Sequence, residues 1–330
     1  MKYDRILLIS IDALSKKYEY LFEDYFTTKY DKYRSTATWT LPAHLNILCG
    51  IPFPKLFIVS RMKDYDKYKD YASNIPTIAT LLRDFDFKSR AVTGGGFMSS
   101  FFGWGNDWDK WETTEDSRNE WCGEKILPKK NELLFLHTYY VHNWFHANAK
   151  MKEAFLETKN KLDAGLPIDQ KKYRALLKEG EKEYAKRAAF LAKKLSWIKN
   201  INRHTLVILL SDHAELFFGV GSFHHGNLAL KNKKIFYVPL LLKENTAQKT
   251  VVTDYMYDYL IPKLIFDKLE LPFESVAKRV LRTNAELKNE LAMIYHSRFW
   301  KLLAFLRKIK KNSLFFRWQS CRKQKLLANE

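Results

Sequence analysis

The sequence has few of the residues that mark a disulfide-stapled, fibrous or membrane-spanning protein. Its 330 residues include three cysteines, 12 glycines and nine prolines. Cys49, Cys122 and Cys321 are widely spaced and odd in number, which indicates a reducing compartment rather than a disulfide framework. No stretch reaches the roughly 18 uncharged apolar residues that a membrane span needs, and Asp12 interrupts the apolar N-terminus, unlike a secretory signal. We therefore expect a globular, cytoplasmic protein.

Acidic residues are also scarce relative to basic ones. The chain has 37 Asp and Glu against 56 Lys and Arg, a formal net charge of +19. Such a surface attracts nucleic acid, anionic lipid, or phosphorylated and sulfated small molecules, and charge alone does not choose among them. Apolar residues make up 46% of the chain, which is enough for a large buried core.

Continuous Ile- and Leu-rich runs predict buried parallel strands, and helical segments lie between them. The predicted strands are 5–11, 88–97, 131–142, 204–213 and 235–243, and the predicted helical segments are 16–26, 38–50, 75–87, 150–200 and 251–271. Pro239 suggests that its strand is an edge strand or carries a bulge. This alternation predicts an α/β fold, a doubly wound, mostly parallel sheet with helices on both faces. We expect a catalytic domain over 1–275 and a basic, aromatic, helical C-terminal extension over 276–330.

Polar side chains close several of these apolar strands. Asp12, His142, Asp212 and His213 all fall at carboxyl ends of predicted strands, the edge of a doubly wound sheet where ligands bind. A carboxylate there is costly unless it is paired, hydrogen-bonded or metal-bound. Two carboxylates and an imidazole favour one divalent cation, preferably Mg²⁺, Mn²⁺ or Ca²⁺, with Zn²⁺ as an alternative.

Thr40 directly precedes a predicted helix that has Pro42 in its first turn and stops at Gly50. A hydroxyl at that place can cap the helix. It can also be a nucleophile, because the helix N-terminus and a nearby metal ion both favour an oxyanion. Our hypothesis gives Thr40 both roles and makes it a fourth metal ligand.

Several segments together resemble the sulfatase-like branch of the alkaline phosphatase superfamily. The similarity spans about residues 4–270, and the segments occur in the family's order: ILLISIDALS, TWTLPAHLNILCG, AVTGGGF with WDKWE, LLFLHTYYVHNWFH, LVILLSDHAELFF and HHGNLALKNKKIFYVPLLL. The resemblance implies a doubly wound α/β core with a metal-bound catalytic hydroxyl or formylglycine.

The resemblance also implies roles for single residues. Asp12 matches the first metal-binding acid, Thr40 the nucleophile, and Asp212 with His213 the acid–histidine metal pair. His142 matches a histidine that faces the substrate. His225 matches another active-site histidine, with His224 as an alternative for the same position.

Four departures from the family pattern narrow the implied activity. Threonine cannot become formylglycine, and His44 replaces the arginine of the sulfatase motif, so a conventional sulfatase mechanism is not expected. A threonine at the nucleophile position resembles the pattern of the family's phosphodiesterases, phosphonate hydrolases and phosphoethanolamine or phosphoglycerol transferases. Ala214 replaces a glycine of the family's acid–histidine motif, and Ala13 stands where a second acid is common, which favours one metal ion over two.

The leading hypothesis is therefore a metal-dependent hydrolase or transferase that acts on phosphate esters through Thr40. Its substrate would be an anionic small molecule, a glycan or a lipid-linked molecule. The alternatives are a sulfate-ester hydrolase that uses unmodified threonine, and a non-catalytic protein that binds an anionic partner.

The C-terminal tail adds a prediction about location. Residues 293–327 contain no acidic residue and interleave aromatic and aliphatic residues with lysines and arginines. One interpretation is a helix packed on the core, and the other is peripheral association with the inner, anionic face of a membrane. Specific nucleic-acid binding is not expected, because no nucleic-acid module is present.

Overall fold

The protein is described by a computed structural model that covers residues 2–50, 75–114, 120–217 and 233–273. These residues build one mixed sheet with helices on both faces. Its strands are β1 (Arg5–Ile11), β2 (Thr28–Arg34), β3 (Lys88–Thr93), β4 (Lys110–Thr113), β5 (Glu132–Thr138), β6 (Thr205–Leu210), β7 (Leu240–Lys243) and β8 (Thr250–Tyr257). Its α-helices are α1 (Thr40–Cys49), α2 (Ile78–Arg83), α3 (Ala149–Asp163), α4 (Gln170–Lys194) and α5 (Ile261–Leu269).

The strand order is β4-β3-β5-β1-β6-β7-β2-β8. Strands β4, β3, β5, β1 and β6 run parallel, and β8 runs parallel to β2. Within the described residues, only β7 runs antiparallel to its neighbours, β6 and β2. The prediction of a doubly wound, mostly parallel α/β sheet is therefore confirmed.

The central strand β1 is buried on both faces, as its continuous apolar sequence predicts. Alternate residues of a strand point to opposite faces. Leu7 and Ile9 pack in a core cluster with Tyr184 and other residues of α4. On the other face, Ser10 hydrogen-bonds His44 of α1 at 2.9 Å. The sheet thus separates a face covered by α4 from a face covered by α1.

Two predictions about strands and helices in the C-terminal half of the sheet were wrong. The segment 251–271 is not one helix: β8 ends at Tyr257, a short 3-10 turn follows, and α5 begins at Ile261. Residues 250–257 form a strand because they pair with β2 through backbone hydrogen bonds. As a helix they would bury little apolar surface, since most residues of β8 are exposed. Pro239 marks neither an edge strand nor a bulge, because it precedes β7, which lies between β6 and β2.

Helix α1 (Thr40–Cys49) ends at Gly50 as predicted and begins two residues inside the predicted segment 38–50. It begins at Thr40, and Gly50 ends it in the left-handed conformation with φ 69°, which glycine adopts without steric cost. Its N-cap residue is Trp39, which makes no side-chain capping bond, so the prediction that Thr40 caps the helix was wrong. Every residue of α1 is buried.

The predicted C-terminal extension lies outside the described residues, and so does the boundary at 275. In the part of the chain that the structure describes, no helix has the length and apolar character of a membrane span.

Candidate metal centre

Asp12 and Asp212 follow two neighbouring parallel strands, β1 and β6, and both are fully buried. Because these strands end at the same edge of the sheet, the two carboxylates and the imidazole of His213 converge. One ligand atom from each of the three residues lies within 4.8 Å of the other two. The structure therefore brings together three residues that the sequence predicts as metal ligands.

The hydrogen bonds of the two carboxylates leave one oxygen of each available. Asp212 Oδ1 accepts from the N–H groups of Ala13 and His213 at 3.0 and 2.9 Å. Asp12 Oδ1 and Asp212 Oδ2 accept no hydrogen bond from the described residues, although both are buried. His213 Nε2 lies 3.8 Å from the former oxygen and 3.3 Å from the latter. Buried carboxylate oxygens without a donor fit a bound cation, which supplies the missing charge.

Thr40 lies against the same cluster. It is the first residue of α1 and is 2% exposed. Its hydroxyl donates a hydrogen bond of 2.9 Å to Asp12 Oδ2. Thr40, which the sequence also predicts as a metal ligand, is thus in direct contact with Asp12.

The two carboxylates have opposite pKa shifts. Burial, together with the nearby Asp212 carboxylate, raises the pKa of Asp12 from 3.8 to about 7. Burial alone would also raise the pKa of Asp212, but the imidazole of His213 and the hydrogen bond from the Ala13 N–H hold it below its ordinary value. Two adjacent buried carboxylates cannot both ionise cheaply without a cation, so the electrostatics agree with the metal centre that the geometry suggests.

His44 occupies the space behind Thr40. Its Nδ1 atom is 2.8 Å from the Thr40 carbonyl oxygen, and its Nε2 atom is 2.9 Å from Ser10 Oγ. A carbonyl can only accept, so Nδ1 carries the proton and Nε2 accepts from the serine hydroxyl. Burial lowers the pKa of His44 to about 3. His44 is therefore neutral, and its hydrogen bond to Ser10 connects β1 to α1. It does not supply the positive charge that the arginine of the sulfatase motif would carry at this position.

His142 lies in the 3-10 turn His142–His146, beyond the end of β5. Its Nδ1 atom is 3.1 Å from Glu215 Oε2, which is buried. Burial alone would lower the pKa of His142, but the hydrogen bond to Glu215 and the charges of Asp12, Glu215 and Asp212 raise it to about 9. The hydrogen bond to Glu215 thus favours the protonated imidazole of His142, at the same edge of the sheet as the carboxylate pair.

Four polar residues around the cluster were not predicted. They are His137, Glu215, Tyr139 and Glu120. His137 Nε2 lies 3.4 Å from Asp12 Oδ2, and burial lowers the pKa of this histidine to about 3. Glu120 accepts hydrogen bonds from Thr138 Oγ1 at 2.8 Å and from the N–H of Tyr139. Burial raises its pKa to about 7. Of the four, Glu215 had a sequence signal, because it is the glutamate of the segment SDHAE, two residues after His213.

His225, predicted to contact the substrate, lies outside the described residues, as does its alternative His224. Residues 218–232 hold both histidines.

Comparisons with known proteins identify the fold. No family profile and no curated protein sequence matches the chain. Three solved structures with 12% sequence identity each cover about four-fifths of it. The lipoteichoic acid synthase LtaP of Listeria monocytogenes has a TM-score of 0.56, with 82% of this chain and 73% of that chain covered. The phosphonate monoester hydrolase of Agrobacterium radiobacter has a TM-score of 0.55, with 82% and 74% covered.

The third structure is the C-terminal periplasmic domain of EcEptC from Escherichia coli in complex with Zn, with a TM-score of 0.54 and coverages of 81% and 82%. A glycosaminoglycan 2-O sulfatase also shares the fold, with a TM-score of 0.55. The chain therefore has the α/β fold of the alkaline phosphatase superfamily. Its structural neighbours include the sulfatase-like members that the sequence motifs predict, so the resemblance is confirmed at the level of the fold.

Proposed function

We propose that this protein is a metal-dependent hydrolase or transferase of phosphate esters and that Thr40 is its nucleophile. The hydrogen bond between Thr40 and Asp12 carries the proposal, because it fixes a hydroxyl beside two buried carboxylates that each keep one oxygen without a donor among the described residues. The neighbouring structures support an activity on phosphate or sulfate esters in general, since they include a lipoteichoic acid synthase, a phosphonate monoester hydrolase and a sulfatase.

Asp12, Asp212 and His213 would hold the cation, with Thr40 beside it. A divalent ion there supplies positive charge that lowers the pKa of the threonine hydroxyl and stabilises negative charge on the ester oxygens. Oxygen-rich ligands with one imidazole favour Mg²⁺, Mn²⁺ or Ca²⁺ and also accept Zn²⁺. Asp12 Oδ2 orients the hydroxyl, and the start of α1 favours an oxyanion at this place.

The proposed reaction has two halves. Thr40 Oγ1 passes its proton to Asp12 Oδ2, the acceptor of its hydrogen bond, and forms a bond to phosphorus while the bond from phosphorus to the leaving-group oxygen breaks. His142, whose protonated form the hydrogen bond to Glu215 favours, donates its proton to that oxygen. Water or an acceptor alcohol then gives a proton to His142 and attacks phosphorus, and the bond to Thr40 breaks while Asp12 Oδ2 returns the proton to the Thr40 oxygen. The choice between water and alcohol separates a hydrolase from a transferase.

Two ester assays test this proposal against its nearest alternative, a sulfate-ester hydrolase with unmodified threonine. We expect metal-dependent turnover of an aryl phosphodiester, weaker turnover of the matched aryl sulfate, and a phosphorylated Thr40 in the trapped protein. Thr40→Ala should lower turnover by about 10³-fold or more, since the covalent step is lost. Thr40→Ser is the matched control and should retain part of the activity. Full turnover by Thr40→Ala would refute the nucleophile assignment.

A non-catalytic protein that binds an anionic partner is the other alternative. Anion binding without turnover on any phosphate, phosphonate or sulfate ester, with a metal bound, would favour it. The coexistence of Asp12, Thr40, Asp212 and His213 in one buried cluster supports catalysis instead.

We also propose that the substrate is an anionic small molecule, glycan or lipid-linked molecule, in keeping with the net charge of +19. Cytoplasmic location and peripheral binding to an anionic leaflet through 293–327 stay predictions from sequence. Co-sedimentation of the intact chain and a 1–290 chain with neutral and anionic liposomes tests the membrane prediction. Binding to anionic liposomes should be lost in 1 M salt, where the Debye length is about 3 Å, and in the shortened chain. Equal binding by both chains would contradict it.

A further inference from the structure

Helix α4 contacts two loops of the proposed site, the turn that carries His142 and the loop after β1 that carries Asp12. Gly180, Tyr184 and Arg187 are spaced as neighbours on one face of this helix. Gly180 lies against the ring of Trp144, inside the turn that begins with His142. Arg187 donates a hydrogen bond of 3.0 Å to the Tyr140 carbonyl, just before that turn. Tyr184 contacts the other loop, which follows β1.

The hydroxyl of Tyr184 is built into this second loop. The side chain is fully buried, and its ring packs against Tyr18 and Phe217. Its hydroxyl donates to the Ala13 carbonyl at 2.8 Å and accepts from the Ser15 N–H at 2.7 Å. One side chain thus satisfies two backbone groups of the loop that holds Asp12.

Ala13 has a backbone conformation that needs this support. Its φ of 59° lies in the left-handed region, which non-glycine residues seldom adopt. Its N–H donates to Asp212 Oδ1 at 3.0 Å, and its carbonyl accepts from Tyr184. Through its two hydrogen bonds, Ala13 therefore links the carboxylate of Asp212 to the hydroxyl of Tyr184. It also directly follows Asp12 in the chain.

From this geometry we infer that Tyr184 is a positioning residue for the metal centre: it holds Ala13 in its left-handed conformation and thereby fixes how Asp12 and Asp212 face each other. This inference rests on the proposed function, since it assigns a part of the same site. Outer groups that orient metal ligands commonly change metal affinity by about 10–100-fold when they are removed. The phenol acts through backbone groups and touches no ligand atom itself.

Tyr184→Phe isolates the hydroxyl, because the ring can keep its packing. We expect the Kd for Mn²⁺ and for Zn²⁺, each measured alone by calorimetry on the full chain, to rise by about 10-fold or more. Tyr18→Phe is the matched control. It removes a phenol hydroxyl from the ring that packs on Tyr184, and the structure gives that hydroxyl no hydrogen bond to the loop among the described residues. Its Kd should stay within about twofold of wild type.

A second substitution separates positioning from general stabilisation. Glycine adopts a positive φ without strain, so Ala13→Gly in the Tyr184→Phe background should recover part of the lost metal affinity. A structural role of Tyr184 elsewhere in the fold predicts no such recovery. This double variant also provides a measurement if Tyr184→Phe alone fails to fold.

The outcomes are distinguishable from failure of the proposed reaction. A Kd for Tyr184→Phe within twofold of wild type, or a loss that Ala13→Gly does not reduce, would overturn the inference. Metal binding by the wild-type chain without turnover of any ester would refute the reaction and leave the Kd comparison to decide the role of Tyr184. A wild-type chain that binds neither ion would overturn both.

Discussion

The hydroxyl of Thr40 and Oδ2 of Asp12 lie 2.9 Å apart, although 28 positions separate the two residues in the chain. Asp12 directly follows strand β1, and Thr40 is the first residue of α1. Burial and Asp212 raise the pKa of that carboxyl to about 7, so its charged form is costly in the metal-free protein. Asp12, which orients the Thr40 hydroxyl, is therefore a carboxyl group whose charged form a bound cation would stabilise.

Metal removal should lower thermal stability for this reason. A divalent cation at about 100 times its Kd stabilises the folded state by about 3 kcal/mol, because it binds only where the ligands converge. We expect Mn²⁺ or Zn²⁺ to raise the Tm of the wild-type chain and a chelator to reverse the change. Asp212→Asn, which keeps an oxygen that can accept from Ala13, should show no metal-dependent change in Tm.

Potassium chloride at the same ionic strength is the control for screening. An equal rise in the Tm of wild type and Asp212→Asn would place the ion at another site.

The pair formed by His142 and Glu215 predicts a pH dependence in the metal-free protein. The pKa of His142 rises from its ordinary 6.5 to about 9 in the folded state, so folding favours the protonated imidazole. This stabilisation is complete below pH 6.5 and is lost as the pH rises through about 9. Glu215→Gln should remove most of it, at a cost of up to about 3 kcal/mol at pH 6.

Urea unfolding of wild type and Glu215→Gln at pH 6 and pH 10 measures this difference. The gap between the two free energies of unfolding should shrink at pH 10. A gap that is constant with pH would show that His142 does not change its protonation state through Glu215. An NMR titration of His142 reports the same pKa directly.

The parts of the fold that the sequence predicts are those that a local pattern determines. Strands β1 and β6 are continuous apolar runs, because each is covered on both faces. Strand β8 lacks that pattern, since it is an edge strand with mostly exposed residues. Its Tyr and Met residues also fit one side of a helix, and only its pairing with β2 makes it a strand.

In the candidate site too, the residues with a local sequence pattern were predicted and those placed by long-range packing were not. Asp12, Asp212 and His213 were found because each follows an apolar strand. His137 was missed because it lies within β5, where a buried histidine has no distinguishing sequence context. Tyr184 was missed for a stronger reason: its contacts to Ala13 and Ser15 join residues about 170 positions apart, and only the packing of α4 reveals them.

Asp258 should contribute strongly to stability. This fully buried carboxylate accepts hydrogen bonds from the N–H groups of Thr36 and Tyr259, the Thr36 hydroxyl and the Asn46 amide. It thereby joins the segment before α1 to the turn before α5. Asp258→Ala leaves these donors without an acceptor and should lower the free energy of unfolding by about 3 kcal/mol or more.

Asp254→Ala is the matched control, because Asp254 is exposed on β8 and its removal should change stability by no more than about 0.5 kcal/mol. Chemical unfolding of both variants measures the difference. Equal stabilities would mean that the hydrogen bonds of Asp258 are replaced by water at little cost.

The last prediction concerns Gly180, in the middle of α4. Replacing a helical glycine with alanine ordinarily stabilises a helix by about 1 kcal/mol. Here a Cβ atom would meet Trp144 Cζ3 at 2.5 Å and Cε3 at 2.9 Å, and Trp144 is fully buried. The ring would have to move within the turn that carries His142, and overpacking of this kind costs about 1–3 kcal/mol. We therefore expect Gly180→Ala to lower stability.

Ala175→Gly calibrates this prediction, because Ala175 is exposed on the same helix and reports its intrinsic preference for alanine over glycine. That variant should lose about 1 kcal/mol. If alanine at 180 stabilised the protein by the same amount, the close contact with Trp144 would carry no cost. If it destabilises as expected, kcat of the proposed reaction should fall as well, since displacement of Trp144 moves the His142 turn, while the Kd for Mn²⁺ at Asp12 and Asp212 stays near the wild-type value.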